Sequence, residues 1–259
     1  IGFLYFFVNF TKKNRDYLRH IFYISLLLIS ALIISKTNDD FSYYHFPFTK
    51  YLTEQKIIFG MGHLNHGYNL LSSLFFLNST FYLPFIKFFS FHFSLLFFLI
   101  FFNYFVLKEI FTKKNNKFIK YLYLFSFLFF NVSFNRLAEY GTDKVGQILI
   151  VVLIIKLFEL VCFSQKKFLK NVLYLLPLFG FCITLKTYFL PYVLLGLVLI
   201  FINEHIKKNF TFILLSRSFL FLLSLLLLIF AHHFISTGCL ISPIDFTCFG
   251  DSTSWGREI

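Results

Sequence analysis

The sequence predicts an all-α fold, namely a polytopic bundle of helices that cross a membrane, and three observations lead to this prediction. Apolar types make up 58% of the 259 residues, Phe alone accounts for 44 residues, and only 14% carry a charge. Soluble domains of this size carry a charge on about a quarter of their residues. Long apolar runs also recur along the whole chain, which is not the pattern of a cleaved signal peptide followed by a soluble body.

Helices that cross the bilayer need about 20 apolar residues. The runs that qualify, or nearly do, are residues 20–36, 84–107, 119–134, 146–163, 172–185, 188–203 and 214–235, and residues 1–10 are interpreted as the end of an earlier span. Residues 1–259 are accordingly treated as a single transmembrane domain. We expect it to be a fragment of a longer chain, because it begins inside an apolar run without Met and stops in a polar segment.

Two of these runs, 172–185 and 188–203, are short and lie on either side of Lys186 and Thr187. Pro191 follows shortly afterwards and disfavours a continuous helix. We interpret the pair as two short helices that meet at a turn in or near the membrane. One long bent helix is the alternative.

The basic residues predict the orientation, because short cytoplasmic loops retain Lys and Arg. Fifteen of the 24 basic residues form four clusters that alternate with the other loops, and these are Lys12, Lys13, Arg15 and Arg19; Lys108, Lys113, Lys114, Lys117 and Lys120; Lys166, Lys167 and Lys170; and Lys207, Lys208 and Arg217. Eight of the twelve acidic residues fall in the opposite segments, near 37–83, 135–146 and 236–259. We predict a multi-pass protein of a bacterial inner membrane whose active face is periplasmic or extracellular. This placement argues against nucleic acid as a partner, despite a net charge of +12.

The first outer segment contains two adjacent carboxylates, Asp39 and Asp40, shortly after a predicted span. Carboxylate oxygens near the lipid surface are suited to a divalent cation. Alternatively, one of them acts as a general base, since an apolar environment and a like-charged neighbour both raise the pKa of a carboxylate. A solvated turn at a helix end is the simpler interpretation.

Histidines and aromatic residues follow in the same segment. Tyr44 and His45 come a few residues after the Asp pair, and His63 and His66 lie in a Gly-rich stretch. A His pair together with one of the two Asp residues is one way to form a metal site. Hydrogen bonding within a packed loop is the other interpretation of these histidines.

The second outer segment places Arg136, Glu139, Tyr140 and Asp143 on one face if it is helical. Charged residues at the mouth of membrane helices usually face a protein interior or a water-filled cavity. An ion-paired helix end that fixes packing fits this pattern, and so does a set of groups that binds a sugar or a phosphate.

Lys186 lies between two apolar runs, close to Tyr188. A single cation in this position needs an anion or a route to the interface. A lipid phosphate is one candidate partner, and extension of the side chain toward the interface is the alternative.

The last outer segment contains Cys239 and Cys248, which lie on either side of a Pro and on the side predicted to be non-cytoplasmic. Disulfides persist in oxidising compartments such as the bacterial periplasm, so we predict a disulfide here. Cys162 and Cys182 fall in membrane segments and are expected to be unpaired.

The chain resembles the GT-C superfamily of polytopic glycosyltransferases. Members carry an acidic motif in the first outer loop, right after the first membrane helix, and Asp39 and Asp40 occupy that place here. The loop sequences around Tyr44, at 135–143 and at 238–248 also resemble a group of uncharacterised bacterial multi-spanning proteins with this layout, over most of the chain. GT-C proteins are longer, so a C-terminal part would be absent from this chain.

The resemblance implies a GT-C-like bundle with outer-face loops and short interfacial helices. It also implies transfer of a sugar from a polyprenyl-phosphate carrier to a surface glycan or lipid acceptor. Asp39 or Asp40 would deprotonate the acceptor hydroxyl or help to hold a divalent cation, Mg²⁺ or Mn²⁺, although the sequence does not identify a cofactor. The residues expected to contact substrate are Tyr44, His45, His63, His66, Arg136, Glu139, Asp143, Lys144, Lys186 and Tyr188, of which Arg136, Lys144 and Lys186 would face the carrier phosphate.

Two other functions share parts of this pattern. A polysaccharide polymerase or ligase would use the same outer face and a lipid-linked substrate. A transporter of lipid carriers or polysaccharides would carry ionisable residues at mid-membrane depth in several helices. The spans here are almost wholly apolar and the polar residues collect at one face, so we expect chemistry at that face.

Overall fold

The computed structural model describes residues 15–29, 40–70, 72–111, 116–132, 142–163, 168–201, 208–241, 244–249 and 255. The α-helices in these ranges are α1 Arg15–Leu28, α2 Phe46–Glu54, α3 Ser73–Thr80, α4 Phe93–Phe111, α5 Lys117–Val132, α6 Thr142–Phe163, α7 Phe168–Leu185, α8 Leu190–Phe201, α9 Phe210–Leu214 and α10 Arg217–Thr237. The one β feature of these ranges is an isolated bridge between Cys239 and Cys248. The all-α prediction is confirmed for this part of the chain.

Within the described ranges, four helices are long and apolar enough to cross a membrane, and they are Phe89–Phe111, Thr142–Cys162, Phe168–Leu185 and Arg217–Thr237. They correspond to the predicted runs 84–107, 146–163, 172–185 and 214–235, with their ends displaced by a few residues. Polar residues such as Thr142 continue a helix beyond its apolar stretch, which hydrophobicity alone does not reveal. The helix α5, at 16 residues, is shorter than these four, and the predicted run 20–36 is described only as far as residue 29.

The two runs beside Lys186 form separate helices that meet at a turn, as predicted. Lys186 has an extended backbone, with φ −161° and ψ 132°, and a 3-10 turn at Thr187–Phe189 leads into α8. The first of the two helices is longer than expected, because α7 spans 18 residues and accommodates Pro177 in its interior. The second, α8, has 12 residues.

Local signals fix the ends of α10. The hydroxyl of Ser216 accepts a hydrogen bond from the Phe219 N–H at 3.2 Å, and so caps the start of the helix. Gly238 ends it in the left-handed region, with φ +74°, and donates its N–H to the Phe234 carbonyl at 2.8 Å. The chain can therefore reverse direction immediately after this span.

The bundle packs around α7. Phe179 of α7, Leu153 of α6 and Leu222 of α10 belong to one buried cluster. A Cβ atom on Gly180 would lie 3.3 Å from the Leu222 Cα, so the glycine lets α7 and α10 approach closely. A second buried cluster joins α4, α5 and α6 and includes Tyr123.

One end of the bundle is covered by residues 40–92, and we call it the capped end. Three contacts attach this cap to helix ends: the Ser94 hydroxyl donates to Asn78, the Thr184 hydroxyl lies 3.0 Å from that of Ser73, and the Gly60 N–H donates to the Ile235 carbonyl at 2.9 Å. The segments joined in this way are those predicted to share the outer face. Which side of the membrane the capped end occupies stays a prediction.

The expectation of almost wholly apolar spans is wrong at the other end of the bundle. Lys156 of α6 forms ion pairs with Glu109 of α4 at 3.0 Å and with Glu159 of α6 at 2.9 Å. Its ammonium also lies 5.7 Å from the centre of the Tyr123 ring. Charges among membrane helices are tolerated when they are paired inside the bundle, and this pairing joins residues far apart in the sequence.

Replacing Lys156 with Met should lower the free energy of unfolding, because the Glu109 and Glu159 carboxylates would both lose the ammonium that they share. We expect a loss of about 1–2 kcal/mol, below the value for fully buried pairs because the three side chains are 17–25% exposed. Equilibrium unfolding in detergent measures the loss. Adding Glu109→Gln and Glu159→Gln to the variant should restore much of it, and a single variant as stable as the wild type would contradict this role.

Candidate functional site at the capped end

The cap begins with a π-helical turn, Phe41–His45, which follows Asp40 directly. The Phe46 N–H closes this turn by donating to the Phe41 carbonyl, and Pro47 lies in the first turn of α2. Single π turns are uncommon and occur frequently at functional sites. Here the turn determines which side chains after the Asp pair point into the protein.

Tyr44 and His45 both point inward and are buried, each at 4% exposure. Phe75 of α3 contacts both rings, with its centroid 6.3 Å from that of Tyr44 and 5.5 Å from that of His45. A Cβ atom on Gly67 would collide with the Tyr44 ring, so this glycine is required for the cap to close over the tyrosine. Among the described residues, no atom forms a hydrogen bond with either ring nitrogen of His45.

Asp143 and Lys186 form an ion pair that connects the start of α6 to the turn after α7. The Lys186 side chain is 17% exposed and that of Asp143 is 49% exposed, so the pair lies at the boundary between the bundle and its surroundings. A Cβ atom on Gly146 would collide with the Phe189 ring. Because position 146 is glycine, the turn that carries Lys186 can pack directly on α6.

The two inward-pointing rings lie within reach of these charges. Burial and, to a smaller extent, the Lys186 ammonium together lower the pKa of His45 to about 4, against the opposing effect of Asp143. Burial also raises the pKa of Tyr44, and the carboxylates of Asp40 and Asp143 add to the effect. Asp40, Tyr44, His45, Asp143 and Lys186 therefore form one neighbourhood, although they come from three separate parts of the sequence.

Tyr188 extends this neighbourhood. Its ring centre lies 5.4 Å from the Lys186 ammonium, and its hydroxyl is hydrogen-bonded to the Gln147 side chain. Lys144 points elsewhere on α6, where its ammonium lies 5.5 Å from the Phe129 ring centre. Two of the residues predicted to face the phosphate, Lys144 and Lys186, fall within the described ranges. Of these two, Lys186 belongs to the neighbourhood of the buried rings, and the Asp143 carboxylate pairs with its ammonium.

The histidines of the Gly-rich stretch differ from His45 in their contacts and exposure. A ring nitrogen of His63 is 2.6 Å from the Trp255 carbonyl oxygen, and the Trp255 ring contacts Phe59 at 4.9 Å between centroids. His66 is exposed on the next 3-10 turn, His66–Asn69. These contacts match the interpretation of hydrogen bonding within a packed loop for His63.

The predicted disulfide lies in the loop after α10. Cys239 and Cys248 are bonded to each other, and their backbones form the isolated bridge noted above. Cys162 and Cys182 are free thiols, the first exposed and the second buried.

Several predicted residues lie outside the described residues, namely Asp39, Arg136, Glu139 and Tyr140. Their roles stay predictions. Within the described ranges, no group of three or more His, Cys, Asp or Glu side chains is arranged to hold a metal ion. A metal ligated by the Asp pair therefore stays a prediction as well.

Sequence reasoning missed the residues that shape the site without reacting. Gly67 and Gly146 permit the close approaches described above, and Phe75 packs against Tyr44 and His45. A glycine at a close approach cannot be distinguished from a glycine in a loop by sequence alone. Nothing in the sequence indicates a role for Gln147 in the site, except that it follows Asp143 by one helical turn.

Comparison with known proteins gives a family without an assigned activity. Residues 2–255 match the family described as a domain of unknown function (DUF8201). No curated protein and no solved structure matches the chain. The function must therefore be inferred from the site itself.

The buried His45 should make the stability of the protein depend on pH. Its pKa is about 4 in the folded state, against an ordinary value of 6.5, so the unfolded chain takes up a proton first as the pH falls. Stability is then complete above pH 6.5 and declines between pH 6.5 and pH 4, by up to about 3 kcal/mol. The His45→Gln variant should lose this part of the decline in unfolding experiments across that window. His66→Gln, which removes an exposed imidazole, is the matched control, and an equally steep decline in the His45 variant would contradict the prediction.

Proposed function

We propose that this chain, which belongs to the family described as a domain of unknown function (DUF8201), is a membrane glycosyltransferase of the GT-C type. It transfers a sugar from a polyprenyl-phosphate carrier to a glycan or lipid acceptor at the non-cytoplasmic face of a bacterial inner membrane. One observation supports this proposal above the others. A carboxylate, two buried rings and an ion-paired lysine come together at the capped end of a bundle that contains four apolar helices.

The depth of this neighbourhood suits a lipid-borne donor. The turn that carries Lys186 lies directly after α7, one of the helices long enough to cross a membrane. The phosphate of a polyprenyl carrier lies at the same interface when its isoprenoid chain is in the hydrocarbon layer. A soluble nucleotide sugar would require a longer polar domain than the sequence offers between the predicted spans on the cytoplasmic side.

In the proposed reaction, the acceptor hydroxyl attacks the anomeric carbon of the sugar. The new C–O bond forms, the bond from that carbon to the carrier phosphate oxygen breaks, and the phosphate leaves with the electron pair. A carboxylate of the Asp39–Asp40 pair takes the hydroxyl proton as general base. Lys186 is proposed to stabilise the negative charge that develops on the departing phosphate, and Asp143 would keep its ammonium in place.

The remaining polar groups are assigned to binding. Tyr44 and His45 border the reaction space, and Tyr188 offers a ring beside Lys186 for contact with the sugar or the carrier. Arg136 is proposed to add positive charge near the phosphate, whereas Lys144 contacts the Phe129 ring instead. Mg²⁺ or Mn²⁺ held by the Asp pair is compatible with hard oxygen ligands, but Asp40 alone falls within the described residues, so no step is assigned to a metal.

A transporter is the second candidate, and one observation favours it. The Glu109–Lys156–Glu159 cluster places ionisable groups among membrane helices, as expected along a transport path. The cluster lies about 13 residues, or roughly 20 Å, along α6 from Asp143. Its distance from the capped end favours separate roles for the two groups of charges.

A polysaccharide polymerase or ligase would use the capped end in the way proposed here.

Replacing both Asp39 and Asp40 with Asn should abolish glycosylation of the cell-surface polysaccharide while the protein is still produced. Removal of a general base lowers the rate by about a hundredfold or more. Quantifying the surface glycan by mass spectrometry in cells that carry each variant measures the effect. Asp245→Asn, which changes an exposed carboxylate on the disulfide loop, is the control and should retain activity. An unchanged glycan in the double variant would contradict the proposal.

Comparison of lipid-linked glycans with and without the gene separates the proposed functions. Accumulation of the polyprenyl-phosphate sugar, together with an acceptor that lacks this sugar, supports transfer. Accumulation of complete lipid-linked repeat units would instead indicate a polymerase or a transporter, and would overturn the transferase proposal.

A further inference from the structure

The loop after α10 exposes an unusual amount of apolar surface. Phe246 is 90% exposed, which is the highest value for a large apolar side chain within the described residues. Leu240, Ile244 and Phe249 in the same loop are also exposed. Four exposed apolar side chains within one short loop indicate contact with another molecule or with a membrane.

A disulfide and hydrogen bonds within the loop constrain the backbone around Phe246. The disulfide between Cys239 and Cys248 closes the loop, and the Leu240 N–H donates to the Thr247 carbonyl at 3.0 Å. The Thr247 hydroxyl accepts from the Ile241 N–H at 3.1 Å. The exposure of Phe246 at the 3-10 turn Asp245–Thr247 is therefore a property of a constrained loop.

The loop directly follows α10, the least buried of the four candidate spans. Only 22% of the apolar window of α10 is buried, against 56% for each of the other three candidate spans. Leu227 and Leu228 are among its exposed side chains, and the loop begins directly after the helix ends at Gly238. A surface that starts at the end of a lipid-facing helix lies at interfacial depth, where aromatic side chains are enriched.

We propose that the loop Cys239–Cys248 inserts Phe246 into the lipid leaflet at the capped end, with Leu240, Ile244 and Phe249 in contact with the acyl chains. Asp245 remains at the level of the headgroups, where its carboxylate is solvated. The loop thereby fixes the height of the capped end relative to the bilayer surface. This inference is independent of the proposed reaction, because it concerns only contact with lipid.

Fluorescence quenching in phosphatidylcholine vesicles tests the proposal. Trp255 is the only Trp of the chain, so a Trp255→Phe variant is free of Trp, and Phe246→Trp in that background reports on the loop alone. Phosphatidylcholine brominated near the top of its acyl chains should quench this emission by about half or more, whereas aqueous iodide should have little effect. Gln55→Trp, on an exposed polar part of the cap, is the matched control and should respond in the opposite way.

Two further measurements keep the test decisive. If Trp255→Phe impairs folding, Phe246→Trp is made with Trp255 retained, and quenching by brominated lipid should exceed that of the wild type. Replacing Cys239 and Cys248 with Ser should reduce the quenching, because the loop is then no longer closed.

Quenching of the tryptophan at position 246 by iodide alone would place the loop in water, and protection from both quenchers would indicate a protein partner. Either result overturns the proposal.

Discussion

The ion pair between Asp143 and Lys186 is the contact on which the capped end depends. A single charge at this depth is costly, but a paired charge that contacts other polar groups is tolerated. The pair attaches the start of α6 to the turn that separates α7 from α8. Because α7 is also the helix around which α6 and α10 pack, its end position determines where the cap can rest.

The cap supplies the remaining side chains of the site. Its π-helical turn directs Tyr44 and His45 into the protein, and Phe75 holds both rings in place. The resulting neighbourhood contains carboxylates, an ion-paired ammonium and two buried rings. A carboxylate and a cation in one neighbourhood suit a reaction in which a proton is removed while negative charge develops on a leaving group. The proposed sugar transfer has this requirement, and the charges at the opposite end of the bundle do not enter into it.

Much of this architecture could be predicted from the sequence. Hydrophobicity located the spans that form α4, α6, α7 and α10, and the break at Lys186 was evident from its polar neighbours. The partner of Lys186 could not be predicted, because Asp143 is 43 residues away in the sequence. The sequence suggested a lipid phosphate or extension toward the interface instead. The π-helical turn and the close approaches at Gly67 and Gly146 also escaped prediction, since each depends on contacts between distant segments. The ion pair of Lys156 could not be predicted for the same reason, because its partner Glu109 is on another helix.

The most direct test of this account is a double-mutant cycle on the central ion pair. Asp143→Asn, Lys186→Met and the double variant are compared by equilibrium unfolding in detergent. Since Asp143 is about half exposed, the expected coupling is modest, about 1 kcal/mol. The account predicts that the double variant loses less unfolding free energy than the two single variants lose in sum. Strictly additive losses would show that the two side chains do not interact, and would contradict the claim that this pair holds the capped end together.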